Sequence, residues 1–278
     1  MRRNRPILFV GGGRITSALC AGLRVGKYSR EIVVYDRNPD KLRALRDESR
    51  VSIAHDLKEA LARAEILIVA VRPASVPGVL QEIAGTGTWP RLCVCLAAGI
   101  PLAALRRSLG NPTHWVRAMP SPVSRIGRGL TAISFDAAVS TTERVRIRNL
   151  FEMVGQVIEL PERNFDAFTA TYSSSHGYHA LATLASAAQR TCLDRKTALT
   201  AAAHALADGI HYWRESGLSV DELLQEAVTP GGIAAATMAA MDKAGYRQAV
   251  QRGIQAGITQ ARRNAPSHKT RKATTASS

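Results

Sequence analysis

The stretch that decides the fold is Ile7-Leu8-Phe9-Val10-Gly11-Gly12-Gly13-Arg14-Ile15-Thr16-Ser17-Ala18. An apolar run passes through three glycines into a helical pattern that continues through Leu19 and Leu23. This order predicts a strand, a tight turn and a helix. Such a unit lets backbone N–H groups approach a pyrophosphate while the positive end of the helix faces its charge. Thr16 stands where the third small residue of the dinucleotide fingerprint belongs, so the surroundings of the motif must decide its meaning.

A second apolar run, Ile32-Val33-Val34-Tyr35, ends on an acidic residue, Asp36. Its distance from the glycines is close to the roughly 20 residues at which a Rossmann unit places its ribose contact. A carboxylate at this point accepts hydrogen bonds from ribose hydroxyls and repels a 2′-phosphate, which favours NAD. The neighbouring Arg37 favours NADP, because a guanidinium pairs with that phosphate. The cofactor is therefore NADP or NAD, and the simpler interpretation of both residues as turn formers before Asn38-Pro39 stays open.

Composition predicts a globular, cytoplasmic protein that binds no metal. The chain has 278 residues, 46% of them hydrophobic and 21% charged, which is enough for two domains of ordinary size. No apolar run reaches the length of a membrane span, and the first residues lead into a strand rather than a signal-peptide core. The cysteines fall on apolar patterns, so we expect buried thiols in a reducing compartment rather than metal ligands: Cys20, Cys93, Cys95 and Cys192.

The net charge is strongly positive, with 37 Lys and Arg against 22 Asp and Glu, or +15. Nucleic acid must therefore be weighed as a partner. Part of the excess lies in residues 262–278, which contain almost no apolar side chains and are predicted to form a basic disordered tail. The remaining charge is dispersed and lacks the interleaved aromatic residues of a single-strand platform. Nucleic acid is thus an unlikely partner, and attraction to phosphorylated ligands or solubility accounts for the charge.

Strands and helices alternate as far as residue 160, which predicts a doubly wound parallel sheet in an NAD(P)-binding Rossmann domain of residues 1–160. In such a sheet the ligand lies outside the carboxyl ends of the strands. The residues that follow the strands are therefore the predicted cofactor contacts: Gly11, Gly13, Arg14, Ile15, Asp36, Arg37, Val71, Arg72, Pro73, Ala97, Ala98, Gly99, Met119 and Pro120.

Residues 161–261 carry only helical spacing and are rich in alanine, with few bulky side chains to fill a core. A polar break at Ser173–Gly177 interrupts the first of these helical patterns. The composition predicts a helical dimerisation and substrate domain that completes its core with a second chain, so a homodimer is expected. A monomeric helical bundle with a thin core is the alternative.

Several segments together resemble one family, the pyrroline-5-carboxylate reductases, from about Pro6 to Ala261. The opening glycine turn is similar to that of the family. Ala70-Val71-Arg72-Pro73 is similar to Ala-Val-Lys-Pro, and Ala97-Ala98-Gly99-Ile100 with Val116-Arg117-Ala118-Met119-Pro120 to Ala-Ala-Gly-Val and Arg-Val-Met-Pro. The most specific match is Val228-Thr229-Pro230-Gly231-Gly232, which resembles Val-Thr-Ser-Pro-Gly-Gly.

The resemblance implies a Rossmann domain joined to a helical domain that interlocks with a partner subunit, with the active site where one subunit's Rossmann domain meets its mate's helices. It implies reduction of a cyclic imine, pyrroline-5-carboxylate, by NAD(P)H in proline biosynthesis. The protein must then orient the nicotinamide, hold a small-molecule carboxylate substrate and supply a proton to nitrogen. Backbone N–H groups at Gly231 and Gly232, before a helix, suit a carboxylate, although they equally fit a plain turn.

The chain departs from the family where substrate is expected. Ser121-Pro122-Val123 replaces Asn-Thr-Pro, and Ser173-Ser174-Ser175-His176-Gly177-Tyr178-His179 replaces Ser-Gly-Ser-Gly-Pro-Ala-Tyr. Ala234 stands where the family has a Thr that contacts the imine nitrogen. These changes predict an altered substrate pocket, whose predicted contacts share small or polar character: Ser121, Ser174, Thr229, Gly231 and Gly232.

His176 is the candidate catalytic residue, because histidine is the side-chain type best suited to proton transfer at physiological pH and this one is new in the polar break. Our hypothesis is that it donates or relays the proton in place of the missing Thr. The alternative is that it caps a helix. Two other functions stay open: reduction of a different imino or keto acid in a biosynthetic pathway, and a non-catalytic paralogue that binds a dinucleotide.

Overall fold

The computed structural model describes residues 5–265, which form two compact units. One unit runs to Thr171 and resumes at Ala256, and the other is Tyr172–Gln255. Within the described range, the first unit contains the following strands and helices in chain order, together with the end of a last helix: β1 Ile7–Val10, α1 Arg14–Val25, β2 Ile32–Tyr35, α2 Pro39–Ser49, β3 Ser52–Ile53, α3 Leu57–Arg63, β4 Ile66–Val69, α4 Val76–Gly85, β5 Leu92–Cys95, α5 Leu102–Leu109, β6 His114–Met119, β7 Gly129–Phe135, α6 Thr141–Glu152, β8 Gly155–Glu159 and α7 Glu162–Thr171.

The strands form one eight-stranded sheet in the order β3-β2-β1-β4-β5-β6-β7-β8. From β3 to β6 every neighbouring pair is parallel, with Val10 opposite both Tyr35 and Val69. The chain leaves β1 toward one side of the sheet and returns to its other side with β4, so the topological switch point lies between β1 and β4. The predicted Rossmann architecture is confirmed.

The last two strands depart from the parallel arrangement predicted for the sheet. β7 runs antiparallel to β6, with Val116 opposite Phe135, and β8 is parallel to β7. The reason lies in the connection. The segment between β6 and β7 contains only a 3-10 turn at Pro122–Ile126, whereas a parallel return needs a crossover of a dozen or more residues.

Apolar side chains cover both faces of the sheet. Alternate residues of β1 enter separate clusters: Ile7 and Phe9 pack on the face that buries Phe151, while Leu8 and Val10 pack on the face that buries Trp115. This two-sided burial explains why the central strands read as continuous apolar runs rather than as alternating ones. Because each strand ends where its apolar run ends, this burial also determines where the loops after the strands begin.

The second unit is helical. Its elements are α8 Ser174–Gln189, α9 Arg195–Ser216, α10 Val220–Ala227, α11 Ile233–Lys243 and the first part of α12 Tyr246–Arg263. Side-chain caps begin three of these helices: Ser173 for α8, Asp194 for α9 and Ser219 for α10. The polar break predicted inside a helix is thus a true boundary, because α7 ends at Thr171 and Ser173 caps α8.

The contacts of α7 join it to the sheet unit, since Phe165 is buried there and Asp166 pairs with Arg117 of β6. The predicted domain division at residue 160, which falls just before α7, stays a prediction. Helix α12 continues to Arg263, so the first two residues of the predicted disordered tail are helical. Residues 266–278 of that tail lie outside the described residues.

Within residues 5–265, no helix is both long and apolar enough to cross a membrane. Within the same range, His, Cys, Asp and Glu side chains form no group of three or more that could hold a metal ion.

Candidate functional site

The glycine turn after β1 is built so that only glycine fits its first position. Gly11 has φ +112, and a Cβ there would lie 2.6 Å from the carbonyl oxygen of Ala70. Its N–H donates to the Tyr35 carbonyl oxygen at 2.8 Å, which ties the turn to β2. At Gly13, the N-cap of α1, nothing lies within 4 Å of the equivalent Cβ position. The open space before an uncapped helix start that carries no acidic residue in its first turn fits a pyrophosphate.

Thr16, the apparent flaw in the fingerprint, closes this turn. Its side chain is fully buried, and its hydroxyl donates to the Gly11 carbonyl oxygen at 2.5 Å. This hydrogen bond from α1 stabilises the positive φ of Gly11. Threonine, although larger than the residue expected at this position of the fingerprint, therefore stabilises the turn instead of disrupting it. The available signal was a polar residue on the apolar face of a predicted helix.

Asp36 holds the backbone of two loops. Its Oδ2 accepts a hydrogen bond from the Gly12 N–H at 2.7 Å, and its Oδ1 accepts one from the Asn38 N–H at 2.8 Å. Lys41 Nζ lies 3.9 Å from Oδ2. The carboxylate therefore joins the glycine turn to the loop after β2, a role the sequence did not reveal because Gly12 was not singled out. Each oxygen keeps a second lone pair, so the ribose contact stays a prediction.

Arg37 is exposed and already paired. Its Nη2 lies 2.6 Å from Glu82 Oε2, and the other Glu82 oxygen accepts from the Tyr35 hydroxyl at 3.2 Å. The hydrogen bond and the charge of Glu82 raise the pKa of the Arg37 guanidinium. A 2′-phosphate at this position would compete with Glu82 for the cation, so the residue present does not decide between NAD and NADP.

The remaining predicted cofactor residues follow parallel strands and share one edge of the sheet. Val71, after β4, packs against the glycine turn, because its Cγ1 lies 2.9 Å from where a Gly11 Cβ would be. Arg72 is exposed and precedes the 3-10 turn Pro73–Ser75. Buried or partly buried residues lie at the end of β6 or follow β5 and β6: Ala97, Ala98, Gly99, Met119 and Pro120. Together with exposed Arg14 and partly buried Ile15, all of the predicted positions flank the carboxyl ends of β1, β2 and β4–β6.

A buried cation in β6 was missed by the sequence reasoning. Arg117 is 2% exposed, and its Nη2 donates to Asp166 Oδ1 at 2.8 Å while Nη1 donates to Glu162 Oε1 at 3.3 Å. Its guanidinium lies 4.4 Å from the centre of the Phe165 ring. These contacts fasten α7 to the sheet. A charged residue between the apolar strand residues Val116 and Ala118 was the signal that could have found it.

Ser121, a predicted substrate contact, is buried directly before the 3-10 turn Pro122–Ile126. That turn packs closely on α1, because a Cβ on Gly22 would lie 1.9 Å from the Ser124 carbonyl oxygen. The segment that departs from the family pattern is therefore seated against the same helix that follows the glycine turn.

The other predicted substrate and catalytic residues lie in the helical unit. His176 is exposed in the first turn of α8, two residues after partly buried Ser174, and its N–H donates to the Ser173 carbonyl oxygen at 3.0 Å. Gly232, the N-cap of α11, donates its N–H to the Thr229 carbonyl oxygen at 2.9 Å. Gly231 has φ +76 with open space around it. The roles of these residues stay predictions.

The fold and the glycine turn define a class, the dinucleotide-binding oxidoreductases with a Rossmann sheet and an appended helical domain. Family models agree with each part. Residues 6–94 match a model described as NADP oxidoreductase, coenzyme F420-dependent, and residues 162–264 match the pyrroline-5-carboxylate reductase dimerisation domain.

Comparison with individual relatives identifies the family within this class. The chain is 32% identical to a pyrroline-5-carboxylate reductase of Mycobacterium tuberculosis (strain ATCC 25618 / H37Rv), with 90% of this chain and 93% of that protein covered. It is 30% identical to the enzyme of that name from Corynebacterium melassecola, with 90% and 95% covered. A crystal structure of Plasmodium falciparum pyrroline carboxylate reductase with NADP bound shares the fold, at a TM-score of 0.83, 20% identity and coverage of 94% and 98%. The chain belongs to the pyrroline-5-carboxylate reductase family, as its motifs predicted.

Proposed function

We propose that this chain is an NAD(P)H-dependent reductase that converts the C=N bond of pyrroline-5-carboxylate to an amine, as in proline biosynthesis. The observation that carries the proposal is the set of family motifs along one sheet edge, from the Gly11 turn to Met119-Pro120. Identity of 32% across 90% of the chain to a relative of that name supports it.

The described residues suit the tasks that this reaction sets. A bound nicotinamide cofactor supplies the hydride. The turn at Gly11–Gly13 and the start of α1 would bind the pyrophosphate, since the open N-cap presents backbone N–H groups and no acidic side chain. The loops after β4, β5 and β6 would position the nicotinamide end. NADP and NAD both remain candidates, because Asp36 and Arg37 are each engaged by protein groups.

Substrate binding and protonation are assigned to the helical unit. Gly231 and Gly232 precede α11 and would hold the substrate carboxylate beside Thr229, through the Gly231 N–H directly and through the Gly232 N–H shared with the Thr229 carbonyl oxygen to which it donates. His176 would donate the proton that the nitrogen gains as the imine carbon accepts hydride. Ser174, two residues earlier, would supply a further polar contact. Ser121, which belongs to the sheet unit, stays a predicted polar contact of the substrate.

A second candidate, a reductase of a different small imino or keto acid, is favoured by one observation. Ala234 lies exposed in the first turn of α11, so the hydroxyl that the family places at this point is missing. A pocket that lacks a hydrogen-bond donor discriminates differently among polar substrates.

The decisive experiment measures oxidation of NADPH and NADH by the full chain with a matched substrate panel. The panel contains pyrroline-5-carboxylate, its six-membered cyclic imine homologue, and an open-chain keto acid with and without ammonia. Preferred turnover of pyrroline-5-carboxylate supports the proposal, and preferred turnover of another member supports the second candidate. Cofactor binding without turnover of any member would identify a non-catalytic dinucleotide-binding paralogue. Gly11→Ala, which places a methyl group against Ala70, is the inactive control.

The proposal includes a homodimer formed through the helical unit. That unit buries few side chains, whereas several large apolar ones are exposed, among them Ile233 at 88% and Tyr178 at 67%. Such a surface is typical of a protein–protein interface. Light scattering of the purified chain tests it, and a monomer at micromolar concentration would contradict it. We place the reaction in the cytoplasm, in keeping with four free cysteines.

A further inference from the structure

We infer that the C-terminal end of α12 positions the loop after β5, and that Gly99 and Asn264 are positioning residues for the nicotinamide half of the cofactor. The inference rests on the proposed function in one respect, namely that this loop lines the cofactor edge. It changes the role of Gly99, which the sequence assigned to direct cofactor approach.

Gly99 is a glycine because a helix end occupies the space of its side chain. Its φ is +76, a left-handed conformation that strains other residues. A Cβ at this position would lie 1.8 Å from the Ala261 carbonyl oxygen and 3.0 Å from Asn264 Cβ. Neither atom is the far end of a flexible side chain, so any substitution must displace the loop or the helix.

Asn264 adds a polar link between the same two segments. Its Nδ2 donates to the Ala98 carbonyl oxygen at 3.4 Å, and its backbone N–H donates to the Ala261 carbonyl oxygen at 3.1 Å. The first bond holds the residue next to Gly99, and the second keeps the helix end in the shape that Gly99 accepts. Ala261 is 6% exposed, so this contact is buried rather than superficial.

The end of α12 is itself held in place by α7. A Cβ on Gly257 would lie 3.1 Å from Ala170 Cβ, which shows that the two helices approach closely at this glycine. Helix α7 is in turn fastened to the sheet through Asp166 and Arg117. A chain of packed elements therefore leads from the sheet through α7 and α12 to the β5 loop. We conclude that the loop takes its position from these protein contacts.

The test compares three variants of the full chain: Gly99→Ala, Asn264→Ala and Gly87→Ala. Gly87 is the matched control, because its φ is +69 and nothing lies within 4 Å of its Cβ position. The added methyl therefore strains the backbone at both glycines, but only at Gly99 does it strike a neighbour. Cofactor affinity is measured without substrate, by nicotinamide fluorescence for NADPH and NADH and by calorimetry for ADP. ADP carries only the half that the Gly11 turn would bind.

We expect Gly99→Ala to weaken NADPH and NADH binding at least tenfold, and Asn264→Ala to weaken it about fivefold, the equivalent of one hydrogen bond. ADP affinity should stay within twofold of the parent in both variants, and Gly87→Ala should bind all three ligands normally. Unchanged NADPH and NADH affinity in Asn264→Ala would overturn the inference, even if Gly99→Ala fails to fold. An equal loss of ADP affinity would also overturn it, since the effect would not be local to the nicotinamide half. A parent protein that binds cofactor but does not reduce pyrroline-5-carboxylate contradicts the proposed function alone.

Discussion

The buried Arg117 guanidinium in β6 allows us to predict which substitution lowers the free energy of unfolding more, that of the cation or that of its acidic partners. Arg117 is 3% exposed as a side chain, whereas its partners Glu162 and Asp166 are 35% and 24% exposed. Replacing both acids by amides, Glu162→Gln with Asp166→Asn, leaves a buried guanidinium without a counter-charge. We expect a loss of about 3–5 kcal/mol in the free energy of unfolding. The new amide oxygens can still accept hydrogen bonds from Arg117 and, as Glu162 does, from the Leu102 N–H, so charge is the main change.

Replacing the cation instead should cost less. In Arg117→Met the two carboxylates are left near the surface, where water reaches them, and methionine still packs on Phe165. The lost guanidinium–ring contact accounts for about 1–2 kcal/mol. The substitution also removes a buried Nε that has no hydrogen-bond partner among the described residues. The difference of about 2 kcal/mol between the variants is roughly a 30-fold change in the unfolding equilibrium.

The measurement is urea unfolding at a fixed protein concentration, followed by circular dichroism and by the fluorescence of tryptophan, which includes Trp115 next to the site in β6. Arg117→Met as destabilised as the double amide variant, or more so, would refute the reasoning. It would show that the guanidinium is stabilising in its own right rather than a charge that needs its partners.

Four further predictions concern the turn, the cofactor, acid stability and proton transfer. Thr16→Val should lose about 1–3 kcal/mol of stability by leaving the buried Gly11 carbonyl without its hydroxyl donor, while Thr16→Ser should not; equal unfolding midpoints would contradict this. Asp36→Asn should raise KM for NADH and NADPH alike, roughly tenfold, because it weakens the hydrogen bonds that hold the glycine turn to the loop after β2. A lower KM for NADPH together with a higher KM for NADH would instead show that Asp36 contacts the ribose. Burial of Glu143 opposes ionisation, but hydrogen bonds from Ser140 and His114 outweigh it and lower the pKa of this carboxyl. The ionised Glu143 carboxylate therefore stabilises the protein above the usual carboxyl pKa, and this stabilisation is lost as the pH falls through the lowered pKa of Glu143. In Glu143→Gln, Tm should consequently fall less steeply between about pH 5 and about pH 3 than in the parent protein. Parallel Tm curves for the two proteins would count against this prediction. His176→Ala should lower kcat about 100-fold without weakening cofactor binding, with His204→Ala as control; full turnover would remove His176 from the mechanism.

The sequence predicted the ends of the central strands well because each signal was local. Two-sided burial makes the central strands continuous apolar runs, and turn residues mark their ends, so the Gly11 turn and Met119-Pro120 were placed correctly at strand ends. The direction of β7 was missed because an apolar run carries no sign of its direction. Only the short segment around Pro122–Ile126 excludes a parallel return.

Long-range contacts account for the rest. That Arg117 meets Asp166, and Gly99 meets Ala261, depends on how α7 and α12 pack, which no local pattern encodes. Asp36 was recognised, but its two backbone donors become visible only when the glycine turn and the β2 loop are brought together. The proposed role of His176 also depends on the proposed second subunit, and a local pattern in one chain does not encode contacts between chains.

The two outer strands of the sheet constrain how copies of this chain can associate. At one end β3 is only two residues long, too short to offer a ladder of free backbone groups. At the other end, the last residue of β8, Glu159, binds Arg144 and Arg148, which places charge along that border. Neither edge strand therefore favours pairing with a strand of a neighbouring molecule. Association by sheet extension, the common route to unwanted aggregates, is therefore disfavoured, and specific assembly is left to the helices.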